Sequence, residues 1–166
     1  METKPIMTIG SVLLNLVPVI IGGLLATGGA FAGAFLTYKL NQKASKDKIK
    51  REKLEQLANA AYRTIHWLDE HKNVNLFKKS KDIGSSPISE VEYLAKLYIP
   101  ELGQEVANLL VSSSEMVSFI VSCNLFVHEN GSFPDDFVEK YKPLYENLLS
   151  ATQKLIERAS VVAGEL

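Results

Sequence analysis

LVPVIIGGLLATGGAFAGAFL, Leu16 to Leu36, is twenty-one residues without a charge, and its reading decides the architecture of the whole chain. As a helix it measures about 31 Å at ~1.5 Å per residue, close to the hydrocarbon thickness of a bilayer, which suits one crossing and not two. The uncharged run is longer still: Pro5 to Tyr38 holds 34 residues with no Asp, Glu, Lys or Arg. Its leading part, Ile6 to Asn15, is too short to cross and carries Gly10, Ser11 and Asn15. Residues 1–15 therefore read as a short non-cytoplasmic N-terminus, lying at the interface or extending the helix as a tilted end. Pro18 falls in the first turn of the span, where a missing N–H costs little.

A cleaved signal peptide competes with this reading, since Ala30-Phe31-Ala32 and Ala32-Gly33-Ala34 both have the small-x-small form of a cleavage site. Three features oppose it. The leading segment has only Lys4, opposed by Glu2; the apolar run exceeds the usual ~7–15 residues; and a dense basic stretch follows at once. Residues 16–37 are thus expected to be a retained transmembrane helix.

Charge sets the orientation. Lys39, Lys43, Lys46, Lys48, Lys50, Arg51 and Lys53 stand against Asp47 and Glu52 on one flank, with Lys4 alone on the other. The positive-inside rule then places the N-terminus outside and the C-terminal domain in the cytoplasm, a single-pass membrane topology. The same seven side chains are candidates for contact with anionic lipid, at about 1 kcal/mol per residue near the surface. The lone Cys123 cannot form an internal disulfide, in keeping with a reducing compartment, and reads as a small buried helix residue.

Beyond the span no Gly or Pro interrupts the sequence from Phe35 through Ile83. Residues 38–53 read as a basic juxtamembrane stalk helix. Leu54, Leu57, Ala58, Ala61, Ile65 and Leu68 then recur at three-and-four spacing, predicting one helix face up to about Lys72. Asn73 to Pro87 reads as a loop with Lys78, Lys79 and Lys81 and the breaker run Gly84-Ser85-Ser86-Pro87. A short helix follows from Ser89, with Glu92 at capping-box spacing, to about Tyr98, and Pro100 marks a boundary.

The next helix, Glu101 to about Phe126, ends in MVSFIVSCNLFV, apolar nearly all round, which predicts deep burial. Asn130-Gly131 makes the following turn, and Asp135 and Asp136 are expected in the first turn of the last helix. Phe137, Tyr141, Leu144, Leu148, Ala151, Leu155, Ala159 and Val162 carry the strongest periodic signal, with Pro143 expected to kink that helix without ending it. The fold class is therefore all-α: a single transmembrane helix followed, over 54–166, by an antiparallel bundle of three long helices and one short one.

Catalytic and cofactor signatures are not found. His66 and His71 are five apart, which does not converge them on a helix, and no cysteine pair completes a zinc set. Glu101 with Glu105 and Asp135 with Glu139 are like-charge pairs of a kind common on solvated helices, and Ser112-Ser113-Ser114 has no histidine near it in sequence. The glycines of the span lack the Lys-Ser or Lys-Thr of a phosphate loop. No enzyme, no cofactor and no metal are expected. Nucleic acid is also not expected, because the chain beyond Glu55 has ten Lys plus Arg against fifteen Asp plus Glu.

The functional content lies in the span. Gly22, Ala26, Ala30 and Ala34 fall four apart, and Gly29 and Gly33 form a neighbouring GxxxG row, a strip along which two helix backbones approach closely. Thr27 is placed to add an interhelical hydrogen bond of ~0.6 kcal/mol. Leu76, Phe77 and Phe133, apolar residues in connections, are candidate partner contacts, with loop anchoring as their plainer role. The reading is a membrane-anchored helical scaffold, a homo-oligomer through its span, presenting a cytoplasmic bundle to a protein partner. The alternative is a small membrane effector of the pore-forming, lysis or defence type, with the bundle as sensor or brake.

Overall fold

A computed structural model describes the backbone of residues 9–77 and 83–166, and the side chains of 18, 21–23, 25–77 and 83–166. Every regular element among the described residues is helical: α1 (Ile9–Phe77), α2 (Ile88–Tyr98), a 3-10 turn at Pro100–Leu102, α3 (Gly103–Asn130) and α4 (Phe137–Gly164). Backbone packing divides the chain into two compact units, Met1–Lys46 and Asp47–Leu166. The expected basic loop residues Lys78, Lys79 and Lys81, and most of the N-terminal segment, lie outside the described residues.

The second unit is a helical bundle around one apolar core. Leu54, Leu57, Ala60, Ala61, Thr64 and Leu68 are buried on α1, the three-and-four spacing of a single face turned inward. On α4 the buried set is Leu148, Ala151, Leu155, Ala159 and Val162, with Phe137, Tyr141 and Leu144 partly buried along the same stripe. Cross-contacts give the directions. Arg63 pairs with Glu90 at 2.7 Å and Lys53 lies over the Tyr98 ring, so α2 runs against α1. Lys72 donates to the Tyr141 hydroxyl at 3.0 Å, joining the end of α1 to the start of α4, and Phe119 meets Phe137 where α3 returns into α4.

Several boundaries differ from those expected, each for a local reason. α1 continues past Lys72 to Phe77, because the Asn75 side chain bonds back to the His71 carbonyl at 2.7 Å and does not compete to open the helix. Leu76 is consequently buried in the last turn, and not in a loop. α2 begins at Ile88 after Pro87, and the Ser89 hydroxyl donates to the Ser86 carbonyl, so the Ser89–Glu92 capping box does not form. Pro100 acts as expected: Ile99 leaves helical geometry at φ −141° and the proline opens the 3-10 turn. α4 starts at Phe137 with Asp136 at its N-cap, so Asp135 and Asp136 precede the first turn; the helix runs through Pro143.

The largest departure concerns α3. Val106, Leu109, Ser113, Met116, Ile120 and Cys123 are buried, but Val111, Val121, Leu125 and Phe126 stay exposed, so Met116 to Val127 is not enclosed all round. The neighbouring helices cover one seam of α3 only. Within that seam the Ser113 hydroxyl has no hydrogen-bond partner among the described residues, whereas Thr64 and Thr152, also buried, each donate to a carbonyl four residues back.

Candidate helix-association face and basic segment

On a helix at ~100° per residue, Gly22, Ala26, Gly29 and Gly33 fall within an arc of about 60°, with Ala30 and Ala34 on its flank. Phe31 and Phe35 project from the opposite side by the same geometry. A Cβ built on Gly22, Gly29 or Gly33 meets nothing within 4 Å, and Ala26, Ala30 and Ala34 are exposed. The large apolar side chains described in the first unit are open as well: Leu25 is 71% exposed, Phe31 79%, and Phe35, Leu36, Tyr38 and Leu40 are comparable. Thr27 donates its hydroxyl to the Gly23 carbonyl at 2.8 Å, so the proton expected to bond across helices is committed within its own.

Among the described residues two helical stretches are apolar enough to cross a membrane by length and composition, Ile21–Phe77 and Pro100–Asn130. None of the most apolar window of the first is buried, and 22% of that of the second.

The basic segment divides by role. Lys39, Lys43 and Lys46, in the first unit, are exposed, and the Lys39 ammonium lies 4.9 Å from the Phe35 ring centre. In the second unit Lys48 and Arg51 are exposed, but Lys50 and Lys53 are turned to the bundle. Lys50 forms an ion pair with Glu101, and its hydrogen bond holds the Glu101 carboxyl below the ordinary range, aided by a backbone hydrogen bond. Lys53 donates to Gln56 at 2.9 Å and sits 5.4 Å over the Tyr98 ring. These two cations therefore fasten α1 to the α2–α3 connection, and the other five are presented to the surroundings.

Of the connection residues, Leu76 anchors the end of α1 in the core. Phe77, 50% exposed, meets Phe133 at 5.6 Å between ring centres, and Phe133 meets Phe137 edge-on at 5.2 Å. Tyr141 and Tyr145 continue this ladder as stacked rings, each step about 5.7 Å. Aromatic pairs in such geometries add roughly 0.5–1.5 kcal/mol beyond area burial. The ladder ties the α3–α4 turn to the end of α1, with only the outer part of Phe77 left for other contacts.

The titratable groups are dispersed. His66 and His128 are exposed on separate helices, and His71 packs against Trp67 at 4.9 Å between ring centres, where burial lowers its pKa. Burial also pulls on Lys72, but hydrogen bonds to Tyr141 and Asp69 outweigh it and raise its pKa above the ordinary lysine value. Cys123 borders an open groove of about 530 Å³ with Phe119, Phe126, Pro134, Asp136 and Lys140; burial, with Asp136 nearby, raises its thiol pKa and so reduces its nucleophilicity at neutral pH. Among the described residues no group of three or more His, Cys, Asp or Glu is placed to hold a metal ion. Comparison of the chain with family models, with curated proteins and with solved structures finds no match in any of the three.

Proposed function

We propose that the chain is a non-enzymatic, single-pass membrane protein that self-associates through residues 16–37 and presents a cytoplasmic helical bundle to a protein partner. The observation that carries this reading is the exposed, uncharged surface of the described residues before Lys39. Leu25, Phe31, Phe35 and Leu36 stand open in the run from Pro5 to Tyr38 that carries no charge, an arrangement that water disfavours by about 25 cal/mol per Å² and lipid accepts. Helices in lipid associate by close packing, and the narrow arc of Gly22, Ala26, Gly29 and Gly33 supplies a groove in which a second backbone fits. Thr27 adds at most an acceptor to that contact, because its hydroxyl proton is directed to Gly23.

The excess of positive charge after Tyr38 assigns the bundle to the cytoplasmic side, and Lys39, Lys43, Lys46, Lys48 and Arg51 hold anionic lipid there. Self-association through the span is tested with Ala26→Cys under mild oxidation in native membranes. A disulfide-linked dimer is expected, lost when Gly29→Leu and Gly33→Leu are added, since two leucines fill the groove. A variant that stays monomeric while a cysteine elsewhere on the chain is readily oxidised would overturn the reading.

A further inference from the structure

Asn130 is the one asparagine of nine that a glycine follows; each of the other eight precedes a residue with a side chain, and no Asp-Gly pair occurs. The distinction is chemical. The amide nitrogen of a following residue attacks the asparagine side-chain carbonyl carbon to form a cyclic imide, and glycine, without a Cβ, leaves that nitrogen unscreened. Asn130 and Gly131 are both exposed at the end of α3, within reach of water. A Cβ built on Gly131 meets nothing within 4 Å, so the turn has room to rearrange.

The folded chain holds both reacting groups. The Asn130 Nδ2, which must leave, donates to the Phe126 carbonyl at 3.0 Å, and the Gly131 N–H, whose nitrogen must attack, donates to the Val127 carbonyl at 2.9 Å. The first bond draws the side chain back along α3, away from the nitrogen that follows it. The second fixes Gly131 in the left-handed region at φ 72°, the geometry that closes the helix. Cyclisation therefore requires the last turn to open, and a helix end opens far more readily than a bundle unfolds.

We propose that Asn130 is a site of spontaneous deamidation, converted to aspartate and isoaspartate through an imide with Gly131, and that the closed last turn of α3 gates the reaction. In the open turn the Gly131 nitrogen bonds to the Asn130 Cγ and the Cγ–Nδ2 bond breaks; the proton of the Gly131 amide leaves with Nδ2 as ammonia. Water then cleaves the imide. Addition at Cγ returns the ordinary chain with aspartate at 130, and addition at the main-chain carbonyl carbon leaves isoaspartate, with Cγ in the backbone. Neither product restores the cap. A carboxylate cannot donate to the Phe126 carbonyl, and it sets a negative charge beside Glu129 at the C-terminal end of the helix dipole. Isoaspartate also lengthens the backbone by one carbon ahead of Phe133, the ring that ties this turn to Phe77. The reaction thus runs one way and loosens the end of the bundle, independently of how the span is read.

The test uses the full chain in mild detergent, kept in mildly alkaline buffer either folded or with the bundle unfolded in urea. Samples are digested at intervals and read by mass spectrometry, with enzymatic methylation to count isoaspartate. Acid is expected to accumulate first in the peptide that holds residue 130, and about tenfold more slowly in the folded chain. Val127→Gly keeps the Asn130-Gly131 pair and weakens the last turn, so it should raise the folded rate several-fold. Earlier accumulation at another asparagine, or none at 130 in urea, overturns the site. Equal folded and unfolded rates, or a Val127→Gly rate no faster than the parent, overturn the gating. Asn130→Asp stands in for one product and is expected to melt below the parent; a melting temperature at or above the parent's overturns the loosening of the bundle end.

Discussion

His71 shows how a side chain without a catalytic role still sets a pH response. Its ring packs on Trp67, its Nδ1 faces the Asn75 amide at 3.1 Å, and burial holds its pKa below the ordinary value near 6.5. The unfolded chain therefore binds a proton that the folded chain resists, so this contribution to stability is complete above the unfolded pKa and is lost as pH falls through the folded one. Melting temperature is expected to fall between about pH 7 and pH 5, and His71→Phe, which keeps the aromatic contact without a titrating nitrogen, should flatten that limb. An unchanged slope in the variant would locate the response elsewhere. Nothing in the sequence marked His71 for this: its neighbour His66 looked equivalent, and the two are separated by the packing of His71 on Trp67 and against Asn75, which leaves it half-buried while His66 is exposed.

At the scale of the element, the helices were legible wherever one face alone is buried. Phe137 to Val162 lie where their spacing puts them, and on α1 Leu54, Leu57, Ala61 and Leu68 are buried as expected while Ala58 and Ile65 are half-buried and Ala60 and Thr64 complete the inward face, because a helix with one apolar stripe packs along that stripe but its exact rotation is set by its neighbours. α3 was misread for the complementary reason. An apolar circumference suggests enclosure, but a small bundle has only enough neighbours to cover one side, and composition does not tell which apolar residues they reach. The helix ends were less legible than their middles, since Asn75 holding the His71 carbonyl and Ser89 turning to Ser86 are decisions between hydrogen bonds of similar strength. The Asn130-Gly131 turn was an exception. Gly131 closes α3 in the left-handed region at φ 72°, its N–H donating to the Val127 carbonyl at 2.9 Å. A Cβ there touches nothing within 4 Å, so Gly131→Ala isolates the conformational cost. A loss of about 1 kcal/mol in urea unfolding is expected, and no loss would mean that the turn relaxes out of the left-handed region.

At the scale of the whole molecule, the candidate face was legible in part. The glycine and alanine arc could be read from spacing, since a helix of any sequence places i, i+4 and i+7 together; the division of the basic segment could not. Lys50 and Lys53 turn to Glu101 and Tyr98, residues about fifty and forty-five positions away, and no local pattern announces such partners. That division bears on topology. If orientation follows the charges nearest the span, Lys39, Lys43 and Lys46 carry it, and Lys50 and Lys53, committed to the bundle, contribute little. A cysteine at Ser132, in the exposed turn before α4, is expected to react with an impermeant maleimide only after the cytoplasmic face is opened. Lys39→Gln, Lys43→Gln and Lys46→Gln together should yield a mixed population labelled in part from outside, whereas Lys50→Gln with Lys53→Gln should leave the labelling one-sided. The same cells separate the scaffold from the effector: a tether through one helix leaves the membrane potential intact, whereas spans assembling into a pore collapse it. Depolarisation on expression, abolished by Gly29→Leu and Gly33→Leu, would transfer the glycine arc from an association surface to a channel lining and overturn the scaffold reading.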